Sequence, residues 1–198
     1  MPSVYQLKPA FQRLLTPLMR GLRSIGMTPN QLTLLAILLS AFMGFSIWLH
    51  TRHFAWILVV PIGYFIRMAL NALDGMMATT YEMQSKTGQV LNELGDVLSD
   101  ACIILPMALI PGNNLWLTSV IALQAMLNEF AGVLAGNISG TRRYDGPMGK
   151  SDRALMIGFF CLIYFFFPSI SGWIVYLFCA MGILLIWSTI NRLQKGIK

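Results

Sequence analysis

Seven residues that are either charged or asparagine lie inside two adjacent apolar stretches of the sequence. They are Arg67, Asn71, Asp74, Asn92, Glu93, Asp96 and Asp100. Ionisable groups inside a membrane span are costly and are functional candidates by default. Carboxylate and amide oxygens are the ligands that hard divalent cations such as Mg²⁺ and Mn²⁺ prefer, whereas zinc sites usually contain His or Cys, which this cluster lacks. The residue types therefore indicate a divalent-metal site.

Helical spacing sorts these residues by face and by depth. Positions 67, 71, 74, 75 and 78 share one helix face, and positions 88, 92, 96 and 100 share a face of the next helix. Because consecutive spans run in opposite directions, a rise of ~1.5 Å per residue places four oxygen ligands roughly 6–12 Å below one membrane surface. These four predicted metal ligands are Asn71, Asp74, Asn92 and Asp96.

A buried polar seam that only holds the helices together is the alternative interpretation of this cluster. Arg67 is the one cation near the four ligands, so a purely structural seam would be poorly compensated. Arg67 and Asp100 lie deeper, both roughly 16–18 Å from that surface. We predict that they form a structural charge pair between the two helices, with Glu129 of a later helix as a rival partner at similar depth.

The elements that position these residues follow from the composition. Of the 198 residues, 56% are hydrophobic and 11% are charged, and soluble domains carry about 25% charged residues. The mean hydropathy is +0.65. These values exclude a water-soluble enzyme, a disordered chain and a secreted disulfide scaffold. We therefore predict an all-α integral membrane protein.

Six stretches are apolar enough to be predicted as membrane spans of about 20 residues. They are residues 30–49, 55–78, 88–110, 115–138, 154–168 and 172–190. Apolar and basic residues alternate at helical spacing before them, which predicts an amphipathic interfacial helix. We thus expect a juxtamembrane segment over residues 1–29 and a six-helix transmembrane catalytic domain over residues 30–198. Thr28 is the predicted N-cap of the first span, with Pro29 at its first helical position.

The basic residues predict the orientation of the chain. With six spans, 12 of the 14 Lys and Arg residues fall on the side of the two termini. By the positive-inside rule, both termini and the polar cluster face the cytoplasm, in a membrane of the bacterial inner (plasma) type. The net charge of +6 is thereby assigned to contact with the lipid bilayer, and no nucleic-acid polymer is expected as a partner.

The run from residue 71 to residue 96 resembles the signature of the CDP-alcohol phosphotransferases, D-x2-D-G-x2-A-R-x8-G-x3-D-x3-D. The spacing agrees at all eight motif positions. The family residue is kept at Asp74, Gly75, Ala78, Gly88 and Asp96. The departures are Asn71 and Asn92 in place of aspartate, and Thr79 in place of arginine. The T-P-N-x-L-T stretch that begins at Thr28 also resembles the family's entry to its first span.

The resemblance implies a membrane transferase of phospholipid biosynthesis. Such enzymes move a phosphatidyl or other substituted phosphate group from a CDP-linked lipid, such as CDP-diacylglycerol, to an alcohol and release CMP. The resemblance implies that Asp96 is the catalytic base and that Gly75, Ala78 and Gly88 lie beside the nucleotide. It also implies a homodimer, with Mg²⁺ or Mn²⁺ as the cofactor. Because Asn71 and Asn92 remove two negative charges, one ion or weaker binding is expected in place of two ions.

Basic residues near the start of the predicted fifth span indicate the acceptor side of the site. The stretch from Gly149 to Arg153 falls where family members with phosphorylated acceptors place basic residues, so Lys150 and Arg153 are the predicted acceptor-binding residues. The acceptor is a small polar alcohol, with or without a phosphate of its own.

Two alternatives to the transferase remain. One is a degenerate relative that binds CDP-lipid or lipid without turnover. The other is a small membrane transporter built around the intramembrane charges.

Overall fold

The computed structural model describes residues 4–198, and their side chains from residue 11 onward. All regular secondary structure of the described residues is helical, which confirms the all-α class. The helices are α1 (Val4–Ser24), α2 (Pro29–Leu49), α3 (Val59–Thr80), α4 (Lys86–Ile104), α5 (Leu115–Ser139), α6 (Lys150–Phe166) and α7 (Ile174–Ile197). Three 3₁₀ turns adjoin α3, α4 and α7, at Phe54–Leu58, Leu105–Leu109 and Pro168–Trp173.

Helix α2 begins where the sequence predicts, and a reciprocal cap explains why. The Thr28 side chain accepts a hydrogen bond from the backbone N–H of Gln31, at 3.4 Å. The Gln31 side chain in turn accepts one from the backbone N–H of Thr28, at 2.9 Å. Two N–H groups that lack helical partners are thereby satisfied, and Pro29 has no N–H to satisfy. The predicted cap at Thr28 is confirmed.

Four of the six predicted spans are long and apolar enough to cross a membrane by length and composition. These four are Pro29–Leu49, Phe54–Thr80, Leu115–Ser139 and Pro168–Ile197. The other two predicted spans correspond to α4 and α6. Helix α4 contains four charged residues within 19, and α6 has only 17 residues. Polar content and length, respectively, set these two helices apart from the other four.

Close backbone packing fixes α2 between α3 and α4. A Cβ atom added at Gly44 of α2 would lie 2.0 Å from the carbonyl oxygen of Cys102 on α4. A Cβ at Gly63 of α3 would lie 2.6 Å from the Met43 side chain of α2. Small residues allow such an approach between membrane helices, where apolar burial drives little association. The two helices that carry the polar cluster are therefore both held against α2.

Helix α1 packs along the end of α3 that carries the motif. Leu15 and Met19 are buried against Leu73 and Met77 of α3. Leu14 remains 72% exposed on another side of α1. Helix α1 thus presents apolar side chains in more than one direction, and one of these directions is occupied by the bundle.

Candidate active site

Helices α2, α3, α4 and α6 bring two acidic motif residues and a lysine together. The hydroxyl of Thr33 on α2 donates a hydrogen bond to Asp74 Oδ2 of α3, at 2.9 Å. Lys150 Nζ, at the start of α6, lies 2.7 Å from Asp96 Oδ2 of α4. Asp74 and Asp96 are 7% and 4% exposed. The structure therefore contains two largely buried motif carboxylates, and a partly exposed amine lies beside Asp96.

The other predicted motif residues have different surroundings. Asn71, Ala78 and Asn92 are half-buried. Gly75 is exposed, and a Cβ added there would meet no atom within 4 Å. A Cβ at Gly88 would instead lie 2.7 Å from Asn30 Oδ1. Gly75 thus borders open space, whereas Gly88 lets α4 approach the start of α2.

Arg67 and Asp100 are in contact, and each has a further partner of opposite charge. Arg67 Nη1 donates to Asp100 Oδ1 at 3.2 Å, and Arg67 Nη2 lies 3.7 Å from Asp96 Oδ1. Asp100 Oδ2 accepts from Arg153 Nε at 2.9 Å and from Arg153 Nη2 at 2.6 Å. Asp100 is therefore held by two buried guanidinium groups, from α3 and α6.

Glu129 of α5 binds three guanidinium groups, and Arg67 is not among them. Its carboxylate oxygens lie 3.0 Å from Arg153 Nη2, 3.1 Å from Arg142 Nη2 and 3.6 Å from Arg192 Nη1. Arg142 also contacts Glu93 of α4. An unbroken series of ion pairs thus runs from Lys150 and Asp96, through Asp100 and Glu129, to Glu93. This series joins five helices and the loop between α5 and α6.

The two predicted acceptor-binding residues occupy different environments. The Lys150 side chain is 36% exposed. Arg153 is 1% exposed, and besides its two carboxylate partners it donates to the carbonyl oxygen of Met148 at 2.9 Å. Lys150 can meet a small molecule that enters from solvent. Arg153 instead binds the loop before α6, behind Lys150.

A cavity of about 240 Å³ lies beside Lys150, and residues of α5, α6, α7 and the α5–α6 loop line it. Arg192 of α7 contributes a guanidinium that is almost fully buried, and its Nε atom has no hydrogen-bond partner. Ser151 and Tyr144 add hydroxyl groups to the lining. The carboxylates of Glu129 and Asp152 also line the cavity, and both have partners within the protein. The cavity therefore offers hydrogen-bond donors and the ammonium group of Lys150, which suits a small anionic or polyhydroxylated ligand.

The α5–α6 loop is seated on α5 and α7 by close backbone contacts. Gly146 has a φ of +99°, and a Cβ there would lie 2.7 Å from Ser188 Cα of α7. Asn128 of α5 donates to the carbonyl oxygen of Met148 at 3.4 Å. Gly149 N–H donates to Asp152 Oδ2 at 2.9 Å, which satisfies a free N–H at the start of α6. This loop and its cap fix the position of Lys150.

Sequence reasoning did not single out Thr33, Arg142 or Arg192 as site residues. Thr33 lies in the T-P-N-x-L-T stretch that resembles the family's entry to its first span, but its partner Asp74 lies 41 positions away. The sequence places Arg142 and Arg192 among the basic residues that orient the chain in the membrane, and Arg142 is also a candidate to line an anion pocket with the other basic residues of its loop. No local signal distinguishes a buried arginine near a helix end from one that contacts lipid headgroups.

The oxygen donors at the motif fit one hard divalent cation. Asp74 and Asp96 supply carboxylates, and the half-buried Asn71 and Asn92 supply amide oxygens on the same helix faces. Mg²⁺ is usually bound by one or two carboxylates, and water and substrate phosphates complete its shell. Among the described residues, no group of three or more His, Cys, Asp or Glu side chains is placed to hold a metal ion. The donor set thus suits one ion better than two.

The fold and the site together define an integral membrane protein whose buried polar centre suits phosphate chemistry. The model of the CDP-alcohol phosphatidyltransferase family matches residues 26–190, and the chain belongs to this family. The family assignment predicted from the motif is confirmed. So is the activity that it implies, transfer of a phosphatidyl group from a CDP-linked lipid to an alcohol in phospholipid biosynthesis.

Two relatives are similar in sequence. Inner membrane protein YnbA of Escherichia coli (strain K12) is 43% identical over 193 residues, which cover 98% of this chain and 96% of the relative. Archaetidylinositol phosphate synthase of Pyrococcus horikoshii is 34% identical over 104 residues, which cover 52% of this chain and 53% of the relative. The first similarity and the four apolar helices indicate an inner membrane protein.

Solved structures of the Mycobacterium tuberculosis phosphatidylinositol phosphate synthase (PgsA1) share the fold. The structure with CDP-DAG bound has a TM-score of 0.73 at 17% identity, with coverage of 93% of this chain and 94% of that one. The structure in complex with manganese and citrate has a TM-score of 0.72, with coverage of 91% and 88%. The similarity extends over nearly the whole of both chains.

Proposed function

We propose that this protein is an active, metal-dependent phosphatidyltransferase whose acceptor is a small phosphorylated alcohol. The observation that carries the proposal is the cavity beside Asp96. Its lining combines the accessible ammonium of Lys150 with the buried Arg192, whose Nε lacks a partner. A phosphate bound there would satisfy both cations and would place a neighbouring hydroxyl group next to Asp96.

The donor side of the proposal assigns one Mg²⁺ or Mn²⁺ ion to the motif. Asn71, Asp74, Asn92 and Asp96 would hold it through oxygen atoms. When bound, such an ion neutralises the diphosphate of a CDP-linked lipid and polarises its phosphorus. Gly75 leaves space for the nucleotide, since no atom lies within 4 Å of its Cβ position. Ala78 and Gly88 complete the proposed nucleotide surface.

In the proposed reaction, Asp96 is the catalytic base. The acceptor oxygen attacks the phosphorus atom that carries the lipid, and a new P–O bond forms. The bond from that phosphorus to the bridging oxygen breaks, and CMP leaves with the electron pair. Asp96 takes the proton of the attacking hydroxyl group, which contributes about 10²–10⁴-fold in such reactions. The low exposure of Asp96 limits the access of competing water.

On the acceptor side, we assign the phosphate to Lys150 and Arg192. Arg153, the second residue predicted from the sequence, acts in this proposal by positioning. Its guanidinium is committed to Asp100, Glu129 and the Met148 carbonyl group. It thereby holds the start of α6, and Lys150 with it, against α4.

The proposed membrane arrangement retains six spans, with α4 and α6 as the two additional ones. Their polar groups face each other through Asp100 and Arg153, which supports their place inside the bundle rather than in lipid. Both termini and the site would face the cytoplasm, and α1 would lie on the membrane surface. Residues 1–29 would form the juxtamembrane segment and residues 30–198 the catalytic domain. A homodimer is the proposed assembly.

The test is an assay of CMP release by purified protein in detergent. CDP-diacylglycerol and Mg²⁺ or Mn²⁺ are supplied with matched acceptors, namely glycerol and glycerol phosphate, or inositol and inositol phosphate. We expect CMP with a phosphorylated member of a pair and at least about tenfold less with its unphosphorylated partner, because an acceptor without a phosphate lacks charge-assisted hydrogen bonds to Lys150 and Arg192. Asp96→Asn is the matched inactive control.

Three outcomes would contradict parts of this proposal. CMP formed only from unphosphorylated acceptors would overturn the acceptor assignment. CMP formed equally well after chelation with EDTA would overturn the metal dependence. No CMP with any acceptor, together with retained binding of CDP-diacylglycerol, would favour the degenerate relative, which the amides at Asn71 and Asn92 also suit.

A further inference from the structure

The Lys150 side chain contacts Asp96 and also lines the cavity. Its ammonium group lies 2.7 Å from Asp96 Oδ2, and its side chain also lines the cavity that contains Arg192. One ammonium group cannot bind fully to Asp96 and to an anion in the cavity, so the two compete for Lys150. This competition affects the order in which ligands bind.

Asp96 is blocked by cations on both of its oxygens. Lys150 contacts Oδ2, and Arg67 Nη2 lies 3.7 Å from Oδ1. An approaching divalent ion is repelled by both positive charges and needs at least one of the oxygens to be free. Asp96 cannot serve as a metal ligand or accept a proton through Oδ2 while Lys150 remains in place.

Of these two cations, Lys150 is the one that can leave. Arg67 is 4% exposed and is also bound to Asp100 at 3.2 Å. The Lys150 side chain is 36% exposed, and among the described residues Asp96 is its only ion-pair partner. A lysine side chain has a flexible four-carbon stem, so its ammonium group can turn at little cost.

The cavity gives that ammonium group a place to go once an anion has entered. The carboxylate of Glu129 is already neutralised by three arginines, and Asp152 Oδ2 is bound to Gly149 N–H. Arg192 contributes a buried Nε with no partner. A phosphate in the cavity carries up to two negative charges, whereas Asp96 carries one and shares it with Arg67. Lys150 is therefore drawn toward the phosphate.

We infer that Lys150 couples binding of the acceptor phosphate to binding of the divalent cation at Asp96. Without an anion in the cavity, Lys150 covers Asp96 and weakens the metal site. When an anion binds, Lys150 turns toward it and releases Asp96 as a ligand and base. The donor lipid is thereby protected from attack by water until an acceptor is present. This inference rests on the proposed function, since it takes the cavity to be the acceptor site.

Thermodynamic linkage makes the inference measurable without turnover. If phosphate strengthens cation binding by some factor, the cation must strengthen phosphate binding by the same factor, and such factors are typically about 5- to 150-fold. The experiment titrates the full-length protein in detergent with Mn²⁺, and the free ion is followed by electron paramagnetic resonance. Each titration is repeated with inorganic phosphate as the anion, and a protein-free blank corrects for Mn²⁺ bound by phosphate itself.

For the wild type, we expect phosphate to lower the Kd for Mn²⁺ about tenfold. Lys150→Met should bind Mn²⁺ about tenfold more tightly than wild type without phosphate, and phosphate should no longer change its Kd. Lys150→Arg keeps the charge and should keep the phosphate effect. Arg192→Met should retain the weak Mn²⁺ binding of the wild type but lose most of the phosphate effect. Thermal unfolding of each variant checks that it is folded.

A wild-type Kd for Mn²⁺ that phosphate does not change would overturn the inference. So would a Lys150→Met variant that still responds to phosphate, or a wild type that binds no Mn²⁺ in the presence of phosphate. The CMP assay separates this inference from the proposed function. CMP release without Mn²⁺–phosphate coupling leaves the transferase standing and refutes the role of Lys150. Mn²⁺–phosphate coupling without CMP release would support the role of Lys150 and refute the transferase activity.

Discussion

Asp74 and Glu129 are both buried carboxylates, with 7% and 4% exposure, but they are satisfied in different ways. Glu129 lies within ion-pair distance of three guanidinium groups. Asp74 accepts a hydrogen bond from Thr33, and no Lys or Arg of the described chain lies within 4.0 Å of it. Glu129 is thereby neutralised within the protein, whereas Asp74 is left short of positive charge and is the better placed of the two to bind an external cation.

The same contrast separates the two halves of the ion-pair series. Around Glu129, Arg153 and Arg192 are each 1% exposed and have no access for a ligand except at the cavity wall. Around Asp96, one cation is the buried Arg67 and the other is the partly exposed Lys150 of α6. The buried arginines around Glu129 therefore form a frame, whereas the ion pair of Asp96 with Lys150 is exchangeable. The following substitutions test this division.

The largest effect is expected at Asp96, on the exchangeable side. Asp96→Asn removes the proposed base and should lower kcat about 10²–10⁴-fold, and because the side chains are isosteric the variant should still fold, with a lower Tm from the lost ion pairs with Lys150 and Arg67. CMP release and thermal unfolding measure the two quantities. Asp145→Asn, in the α5–α6 loop, is the control and should retain activity. An Asp96→Asn protein with wild-type turnover would refute the assignment.

Arg153 tests the frame. Arg153→Met removes the shared cation of Asp100 and Glu129, and loss of one partner from a buried ion pair costs about 3–5 kcal/mol. We expect a large fall in the thermal stability of the detergent-solubilised protein. Arg153→Lys should recover part of it, since a charge returns without the bidentate geometry. A wild-type Tm for Arg153→Met would show that the series is not a stabilising frame.

Thr33 tests how Asp74 is oriented. Thr33→Val keeps the shape but removes the hydrogen bond to Asp74, and hydrogen bonds to charged groups contribute about 1.5–3 kcal/mol. We expect the Mg²⁺ concentration for half-maximal activity to rise about tenfold, with kcat at saturating Mg²⁺ nearly unchanged. Thr33→Ser retains the hydroxyl group and should behave as wild type. An unchanged Mg²⁺ requirement in Thr33→Val would remove Asp74 from the proposed ligands.

Two motif glycines form a matched pair with opposite expectations. Gly75→Ala meets no neighbour and places a better helix former in α3, so its stability should be equal or up to about 1 kcal/mol higher. Its KM for CDP-diacylglycerol should nevertheless rise severalfold, because the methyl group enters the proposed nucleotide space. Gly88→Ala meets Asn30 at 2.7 Å and should lower Tm. A lower Tm for Gly75→Ala together with a higher KM for Gly88→Ala would make Gly75 the packing residue and Gly88 the nucleotide contact.

The smallest effect is expected from an exposed ion pair beside the frame. Lys195 donates to Asp145 at 2.6 Å, and this hydrogen bond holds the pKa of Asp145 below its usual range. A lowered carboxylate pKa stabilises the fold above the unfolded value, near 3.9, and this stabilisation disappears as the pH falls through the folded value. Lys195→Met should thus lower Tm by about 1 °C at pH 7 and by less near pH 3. An equal difference at both pH values would contradict this account.

Much of the α3–α4 region follows from the sequence because its geometry is local. Helical spacing alone assigns Asn71, Asp74, Asn92 and Asp96 to two faces, and the cap at Thr28 is encoded within four residues. The span predicted over residues 88–110 is not one continuous α-helix. The α-helix ends at Ile104, because Pro106 lacks the N–H that would continue it, and a 3₁₀ turn over Leu105–Leu109 completes the segment.

The frame could not be predicted in the same way. The contacts of Lys150 with Asp96 and of Arg153 with Asp100 join residues 54 and 53 positions apart. They depend on how α6 packs against the other helices, which no periodicity in α4 or α6 encodes. Glu129 was assigned as a rival partner for Arg67 by depth alone. Depth does not specify rotation about the helix axis, and the structure gives Glu129 to arginines of the loop, α6 and α7.

The ion pair between α4 and α6 also bears on how the chain is made. Asp100 leaves the ribosome 53 residues before Arg153. A helix with four charged residues among 19 is costly to leave in lipid without partners. Arg67 of α3 has by then been synthesised and can pair with Asp100, but Arg153, which binds Asp100 through two nitrogen atoms, has not. In the proposed six-span arrangement, stable insertion of α4 therefore waits for synthesis of α6, and a nascent chain that stops before residue 150 would leave α4 without its strongest anchor.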